Sequence, residues 1–314
     1  MERWKERLES FLFPTAPDLW VTYLRVGLGL QVVLYTLSLR ADWNFLFGGT
    51  EVGLNGRAFS EALLSTESPF VPRLGWFVEL GSHIGLNEWT ILPMVWWILL
   101  CAGAGLLVGL FSRASAIVAW LLHLCAAKSG GLVAYGVDNF MTIGLLYLML
   151  SPLPDSCSLD RRWRGRKVPP KDRQVSGFLR RVLQIHLCLI YFFSGLAKSL
   201  GSGWWDGSNL WRALLRPPFN VIDPAMLVRW KYFFPVAGVL VCLVEMAYPL
   251  FIWPKRTRRT WLCLAIAMHL GIGVTMGMYL FALIMIVLNV AAFGPDFGYK
   301  QSEGVNVREE QTLR

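Results

Sequence analysis

Apolar residues run through this chain in long, nearly unbroken stretches, and charge, glycine and proline collect in the short segments between them. A hydrocarbon core of about 30 Å takes roughly 20 helical residues at 1.5 Å each. That ruler predicts eight spans, at residues 19–39, 91–110, 114–127, 132–150, 178–198, 232–253, 261–275 and 277–293. The expected fold is therefore all-α: a polytopic integral membrane helical bundle of about eight transmembrane helices. The third span is short, and Lys128 can lengthen it by snorkelling. The last two form one apolar run broken only by Gly271, Gly273 and Gly277, so it reads either as two spans or as a span plus a re-entrant piece.

The connections carry their own pattern. Between residues 40 and 90, Phe59, Leu63, Leu64, Phe70, Val71, Leu74, Phe77 and Leu80 alternate with Glu61, Glu67 and Glu79 at near-helical spacing, which predicts short helices on the exported surface. Residues 199–231 hold Trp204, Trp205, Trp211, Phe219 and Trp230, a composition suited to an interfacial aromatic belt. The expected domain division is a membrane domain over 1–296 and a disordered polar cytoplasmic tail over 297–314.

Basic residues set the orientation. Arg161, Arg162, Arg164, Arg166, Lys167, Lys171, Arg173, Arg180 and Arg181 crowd the fourth connection, and Lys255, Arg256, Arg258 and Arg259 the sixth, so both should be cytoplasmic. Eight spans then place Arg3, Lys5 and Arg7 inside too, with both termini cytoplasmic. Residues 1–18 are amphipathic and the first apolar run is long enough to remain as a span, so no signal peptide is expected.

Composition agrees: 55% of residues are hydrophobic and only 16% charged, which excludes an ordinary soluble globule and makes the lipid bilayer the first partner. The net charge of +9 reads as topology signal, with no nucleic acid implied. Cys101, Cys125, Cys188, Cys242 and Cys263 lie in apolar segments and Cys157 in a basic loop, so no structural disulfide is expected.

Chemistry concentrates in the fifth span. At 100° per residue, Gln184, Tyr191, Ser194 and Lys198 share one side of the helix. Lys198 has two readings. It is either a base partly removed from water or an anchor that snorkels to the outer interface. His123, His186 and His269 lie within spans; no two have metal-ligand spacing, so no metal is expected, and interhelical hydrogen bonding suits them better. Arg25, Asp138 and Glu245 are charges inside spans and require partners. Predicted depths keep Arg25 from Asp138 and leave Glu245 to pair with Arg25 or take up a proton. Gly203-Trp204-Trp205-Asp206-Gly207 is either an interfacial turn or a lid whose indoles stack on a ring-shaped or lipid-like ligand.

The run Gln184-Ile-x5-Tyr191-Phe-Phe-Ser-Gly195-Leu-Ala-Lys198 followed by Trp205-Asp-Gly207 resembles the HTTM domain, the transmembrane domain shared by vitamin K-dependent gamma-carboxylases and many bacterial proteins. Arg25, Tyr135-Gly-x-Asp138, Ser151-Pro152 and His269 fit the same pattern, so the resemblance covers about residues 15–295. It implies a multi-pass protein of a bacterial inner membrane. In the animal carboxylases the lysine at the position of Lys198 is the base that starts quinol oxygenation. Glutamate carboxylation is not expected, because these 314 residues hold no counterpart of the large soluble substrate-holding domain and Asp138-Asn139 stands where the carboxylases place a histidine.

Two functions from different classes follow from the resemblance. One is a membrane enzyme with an outward-opening cavity, acting on a quinol or another lipid-soluble molecule. Lys198 would be its base, Tyr191 and Ser194 orienting groups, Asp138 and His269 proton partners, and Gln184, Trp204, Trp205, Arg25 and Glu245 ligand-binding residues. The other is a non-catalytic partner in maturing or binding an exported peptide.

Overall fold

The computed structural model describes residues 2–14, 19–49, 57–131, 133–165 and 170–295. The expected tail at 297–314, and Arg166 and Lys167 of the basic connection, lie outside them. The regular structure of the described residues is helical throughout. In chain order come α1 (Glu2–Leu12), α2 (Leu19–Ser38), α3 (Trp43–Phe47), α4 (Arg57–Glu67), α5 (Gly75–Ser82), α6 (Glu88–Val108), α7 (Ser112–Ser129) and α8 (Gly136–Leu150). They are followed by α9 (Leu159–Arg164), α10 (Pro170–Ser199), α11 (Ser202–Trp205), α12 (Ser208–Leu215), α13 (Pro224–Arg229), α14 (Phe233–Phe251), α15 (Lys255–Met276) and α16 (Tyr279–Phe293).

Each of the eight apolar runs has its helix. Helices α2, α6, α10, α14 and α15 are long and apolar enough to cross a membrane, and α8 and α16 are shorter apolar helices. Helix α7 carries Arg113 and Lys128 near its two ends. The helix of the fourth predicted span, α8, begins at Gly136, later than the predicted 132, because the Asp138 side chain accepts from the Tyr135 backbone N–H and fixes the start there (2.9 Å). Helix α10 extends well beyond its apolar run into the basic connection.

The helices alternate between two ends of the bundle. At the basic end, the Trp20 indole donates to Ser176 Oγ (2.8 Å) and joins the starts of α2 and α10. At the same end Asp160 accepts from the backbone N–H groups of Phe111 and Ser112 at the start of α7 (2.8 and 2.6 Å). The Trp253 ring there lies 5.8 Å from both Phe11 and Phe293, so α1, the start of α15 and the end of α16 meet around it. Helices α15 and α16 are thus a complete out-and-back hairpin turning at Gly277, and the re-entrant alternative is set aside.

At the opposite end lie α3, α4 and α5, the short helices of the described parts of the 40–90 connection. Glu61 of α4 accepts from Ser129 Oγ at the end of α7 (2.6 Å) and from the Gly75 N–H at the start of α5 (2.9 Å). Arg57 bridges Glu61 and Glu88 (3.1 and 2.9 Å).

Helix α2 runs through the core, packed by α6, α8 and α16, with Trp20, Leu24, Leu28 and Val32 fully buried. The pair α10 and α14 lies against this centre and turns Leu189, Phe193, Val236, Leu240, Leu243 and Leu250 outward. An exposed apolar surface on that scale needs lipid as its solvent. The molecule is a multi-pass helical membrane protein.

Candidate functional site

Two antiparallel helices build the site. On α10, Tyr191, Ser194 and Lys198 follow one another on one face; on α14, Glu245 and Tyr248 stand one turn apart. Gly195 lets these faces touch. A Cβ added there would lie 2.8 Å from the Met246 backbone nitrogen and 2.9 Å from Glu245 Cβ, so any side chain would force the two backbones apart. Glycine at a helix crossing is a general device for close approach within membranes.

The Lys198 ammonium donates to Glu245 Oε2 and to Ser194 Oγ, both at 2.6 Å. The Trp204 ring covers it on a third side, its centroid 5.6 Å from Nζ, which is cation–π distance. The Lys198 side chain is 23% exposed and that of Glu245 8%. The direction of the lysine side chain bears on its role. Ser194 is one turn earlier in α10, so the ammonium points back along the helix into the bundle. A snorkelling lysine at this helix end would extend the other way. Glu245 lies about 18 Å from the Phe233 end of α14 and about 9 Å from the Phe251 end, at 1.5 Å per residue. The pair sits within the apolar length of that helix.

Deeper along the same face lies a neutral hydrogen-bonded cluster. The Tyr191 and Tyr248 rings stack at 4.1 Å. Asn289 of α16 donates through Nδ2 to Met285 O and to the Tyr191 hydroxyl (both 2.8 Å), and its Oδ1 accepts from the Tyr248 hydroxyl (2.6 Å). The Tyr191 hydroxyl also pairs with His269 Nε2 (2.7 Å). His269 Nδ1 is a buried atom with no hydrogen-bond partner among the described residues.

The Trp-rich turn rests on α14. Gly207 adopts φ +78° and has the Phe234–Pro235 backbone 2.4 Å from where a Cβ would stand, so both conformation and space require glycine. Asp206 accepts from the Ser208 N–H (2.8 Å), and this hydrogen bond holds the Asp206 carboxyl below its usual range. Trp205 is exposed and donates to the Ser199 carbonyl at the end of α10 (2.8 Å), whereas Trp204 faces Lys198.

The other predicted residues fall elsewhere. Gln184 belongs to the same helical face, but it is about 21 Å from Lys198 along α10, and its amide caps the end of α16 by donating to Ala292 O (2.7 Å). Arg25 does not meet Glu245. It is fully buried and bound to Asp155 of the α8–α9 connection and to the Leu106 and Leu107 carbonyls at the end of α6. Thr22 Oγ1 also donates to Asp155 (2.7 Å). Asp138 and Arg25 are separate, as their depths predict. Asp138 accepts from the Tyr35 hydroxyl (2.7 Å), and its backbone carbonyl meets His123 Nε2 (3.2 Å). The Phe281 ring lies 5.8 Å from His269 and 6.0 Å from Phe140, between this cluster and the Tyr191 cluster. His186 meets the Tyr147 hydroxyl (3.2 Å).

Asn289, Tyr248 and Asp155 are absent from the sequence reading. Asn289 carries a usable signal, a lone amide inside an otherwise apolar helix that must find a partner. Asp155 carries none, since its role depends on how a Pro-rich connection folds under α2.

The family model for the HTTM domain matches residues 82–297. Among curated proteins, the uncharacterized protein YitO of Bacillus subtilis (strain 168) is 23% identical over 226 residues, covering 64% of this chain and 67% of that protein. No solved structure matches.

Proposed function

The chain belongs to the HTTM-domain family, and from that premise we propose that it is a membrane enzyme in which Lys198 acts as base on a lipid-soluble small molecule such as a quinol. In the step considered, the free amine takes a proton from a hydroxyl of the bound molecule, leaving an oxyanion and an ammonium. The observation that carries this reading is the direction of Lys198: its head group turns into the bundle and meets Glu245 and Ser194 at 2.6 Å. An intramembrane ion pair of this kind is costly to place and marks functional positions. Trp204 covers the ammonium, and the Tyr191–His269–Asn289 cluster supplies neutral hydrogen-bonding groups one level deeper. The site opens toward the exported side, with α1 and the basic connections in the cytoplasm of a bacterial cell.

The test compares the lipids and quinones that co-purify with the wild-type protein and with Lys198→Met, at equal abundance in the membrane. The proposal expects a bound molecule whose amount or chemical state differs between the two. Identical inventories, together with an unchanged cellular phenotype, would reduce Lys198 to a structural residue.

A second reading, a non-catalytic partner of an exported peptide, draws on one observation. Phe70, Leu80 and Ile84, around α5, are strongly exposed although this connection is tightly pinned to α6 and α7. It expects substitutions of these residues to abolish function while Lys198 variants remain mild.

A further inference from the structure

We propose that Glu245 is the proton partner of Lys198: it holds the amine as an ammonium at rest and receives that proton when Lys198 becomes a base. The second half rests on the function proposed above; the first does not.

An ammonium has no lone pair and cannot accept a proton, so a base in this position must first lose one. The Lys198 ammonium is enclosed by Ser194 Oγ, Glu245 Oε2 and the Trp204 ring. Serine accepts a hydrogen bond but is too weak a base to keep a proton, and an indole ring does not take one. Tyr191 is hydrogen-bonded to His269 and to Asn289, and among the described residues the hydrogen bonds of Lys198 Nζ go to Ser194 and Glu245. Glu245 remains, its oxygen 2.6 Å away on the facing helix.

The transfer balances within the pair. Ammonium and carboxylate become amine and carboxylic acid, the proton stays between the two residues, and no charge enters or leaves the membrane. Both ions of the charged form are penalised by loss of solvent, whereas the neutral form is not. The Lys198 side chain retains 23% exposure. An apolar molecule settling on that exposed part removes the remaining solvent and shifts the pair toward amine and acid. The base is thus released by the arrival of its own substrate and is kept protonated without it.

The experiment uses the detergent-solubilised full chain and reductive methylation with formaldehyde and a borane amine, which modifies only unprotonated amines. Mass spectrometry reads Lys198 against the exposed Lys255 in the same molecule. In Glu245→Gln the amine loses its counter-ion, and its rate relative to Lys255 rises roughly tenfold or more over wild type. An unchanged ratio would overturn the assignment. Ser194→Ala keeps the carboxylate and leaves Lys198 protected; release of Lys198 by that variant would equally contradict it. For the acceptor half, Lys198→Met strands Glu245, and infrared difference spectra should gain the C=O band of a protonated carboxyl, absent from Lys198→Met/Glu245→Gln. Absence of the band would show that Glu245 does not hold the proton. None of these measurements reads a bound quinol, so the inference and the proposed function fail separately.

Discussion

Gly195 of α10 and Glu245 of α14 meet almost backbone to backbone, and that contact is what brings the Lys198 ammonium within 2.6 Å of the Glu245 carboxylate. The arrangement explains why a glycine stands three residues before the lysine. Without the close crossing, a side chain folded back toward Ser194 would not reach a partner on the neighbouring helix.

Gly195→Ala should therefore act on the site through the helix crossing. The added methyl meets the Met246 backbone nitrogen and Glu245 Cβ, neither of which can rotate away, and overpacking of this kind costs about 1–3 kcal/mol. The expected outcome is a lower thermal unfolding midpoint in detergent together with faster methylation of Lys198. A variant as stable and as protected as wild type would show that α10 and α14 have slack at this crossing.

Breaking the ion pair from one side should cost more than removing it altogether. Deleting one partner of a fully buried pair costs about 3–5 kcal/mol, and the partial exposure of Lys198 places this pair below that range. Lys198→Met and Glu245→Gln should each destabilise, while the double variant recovers part of the loss, because it leaves no uncompensated charge. Additive losses in the double-mutant cycle would mean that the two residues do not interact in the folded protein.

Arg25 and Asp155 should behave as structural residues. Both side chains are essentially excluded from solvent, and Arg25 also satisfies two carbonyls at the end of α6. Arg25→Ala should lose on the order of 3–5 kcal/mol and reduce the folded protein recovered from membranes. Arg25→Lys should rescue poorly, since an ammonium cannot reproduce the guanidinium fork. Normal recovery of Arg25→Ala would remove the clamp from this account.

The Trp-rich turn should loosen in acid. The Asp206 carboxyl is held below its usual range, chiefly by the Ser208 N–H. A group depressed in the folded state contributes stability above its unfolded value and loses it as pH falls through the folded one. The protection of the Ser208 amide, the slowing of its exchange relative to that of an unstructured amide at the same pH, should consequently fall as the medium is acidified below the ordinary carboxylate range. Asp206→Asn should flatten that dependence. Equal pH profiles for the two proteins would show that the carboxylate does not hold the turn.

Much of this was legible in the sequence, for identifiable reasons. The hydrophobic runs locate the helices because lipid permits only backbones that satisfy their own hydrogen bonds. Helical periodicity also places Tyr191, Ser194 and Lys198 on one wall. The same periodicity includes Gln184 on that wall, although it serves the end of another helix, because a shared face says nothing about which helix packs against each part of it. The partner of Glu245 was missed for a related reason. Pairing between distant helices depends on crossing depth, and the depth assigned to Lys198 followed its Cα, whereas its head group lies a turn deeper. Asp155 acts through tertiary contacts that no local pattern encodes, whereas Asn289 is visible as a lone amide in an apolar helix and only its partners are not.

The most direct measurement is a dipolar-recoupling solid-state NMR experiment on the full chain in bilayers, with 15N at the lysine Nζ positions and 13C at the glutamate carboxylates. Among the described residues, Lys198–Glu245 is the lysine–glutamate pair in hydrogen-bonding contact. The account predicts a close Nζ–carboxylate coupling that disappears in Glu245→Gln and survives in Glu61→Gln. No such coupling, or one indifferent to Glu245, would mean that the lysine head group lies elsewhere and that the intramembrane site is not built as described.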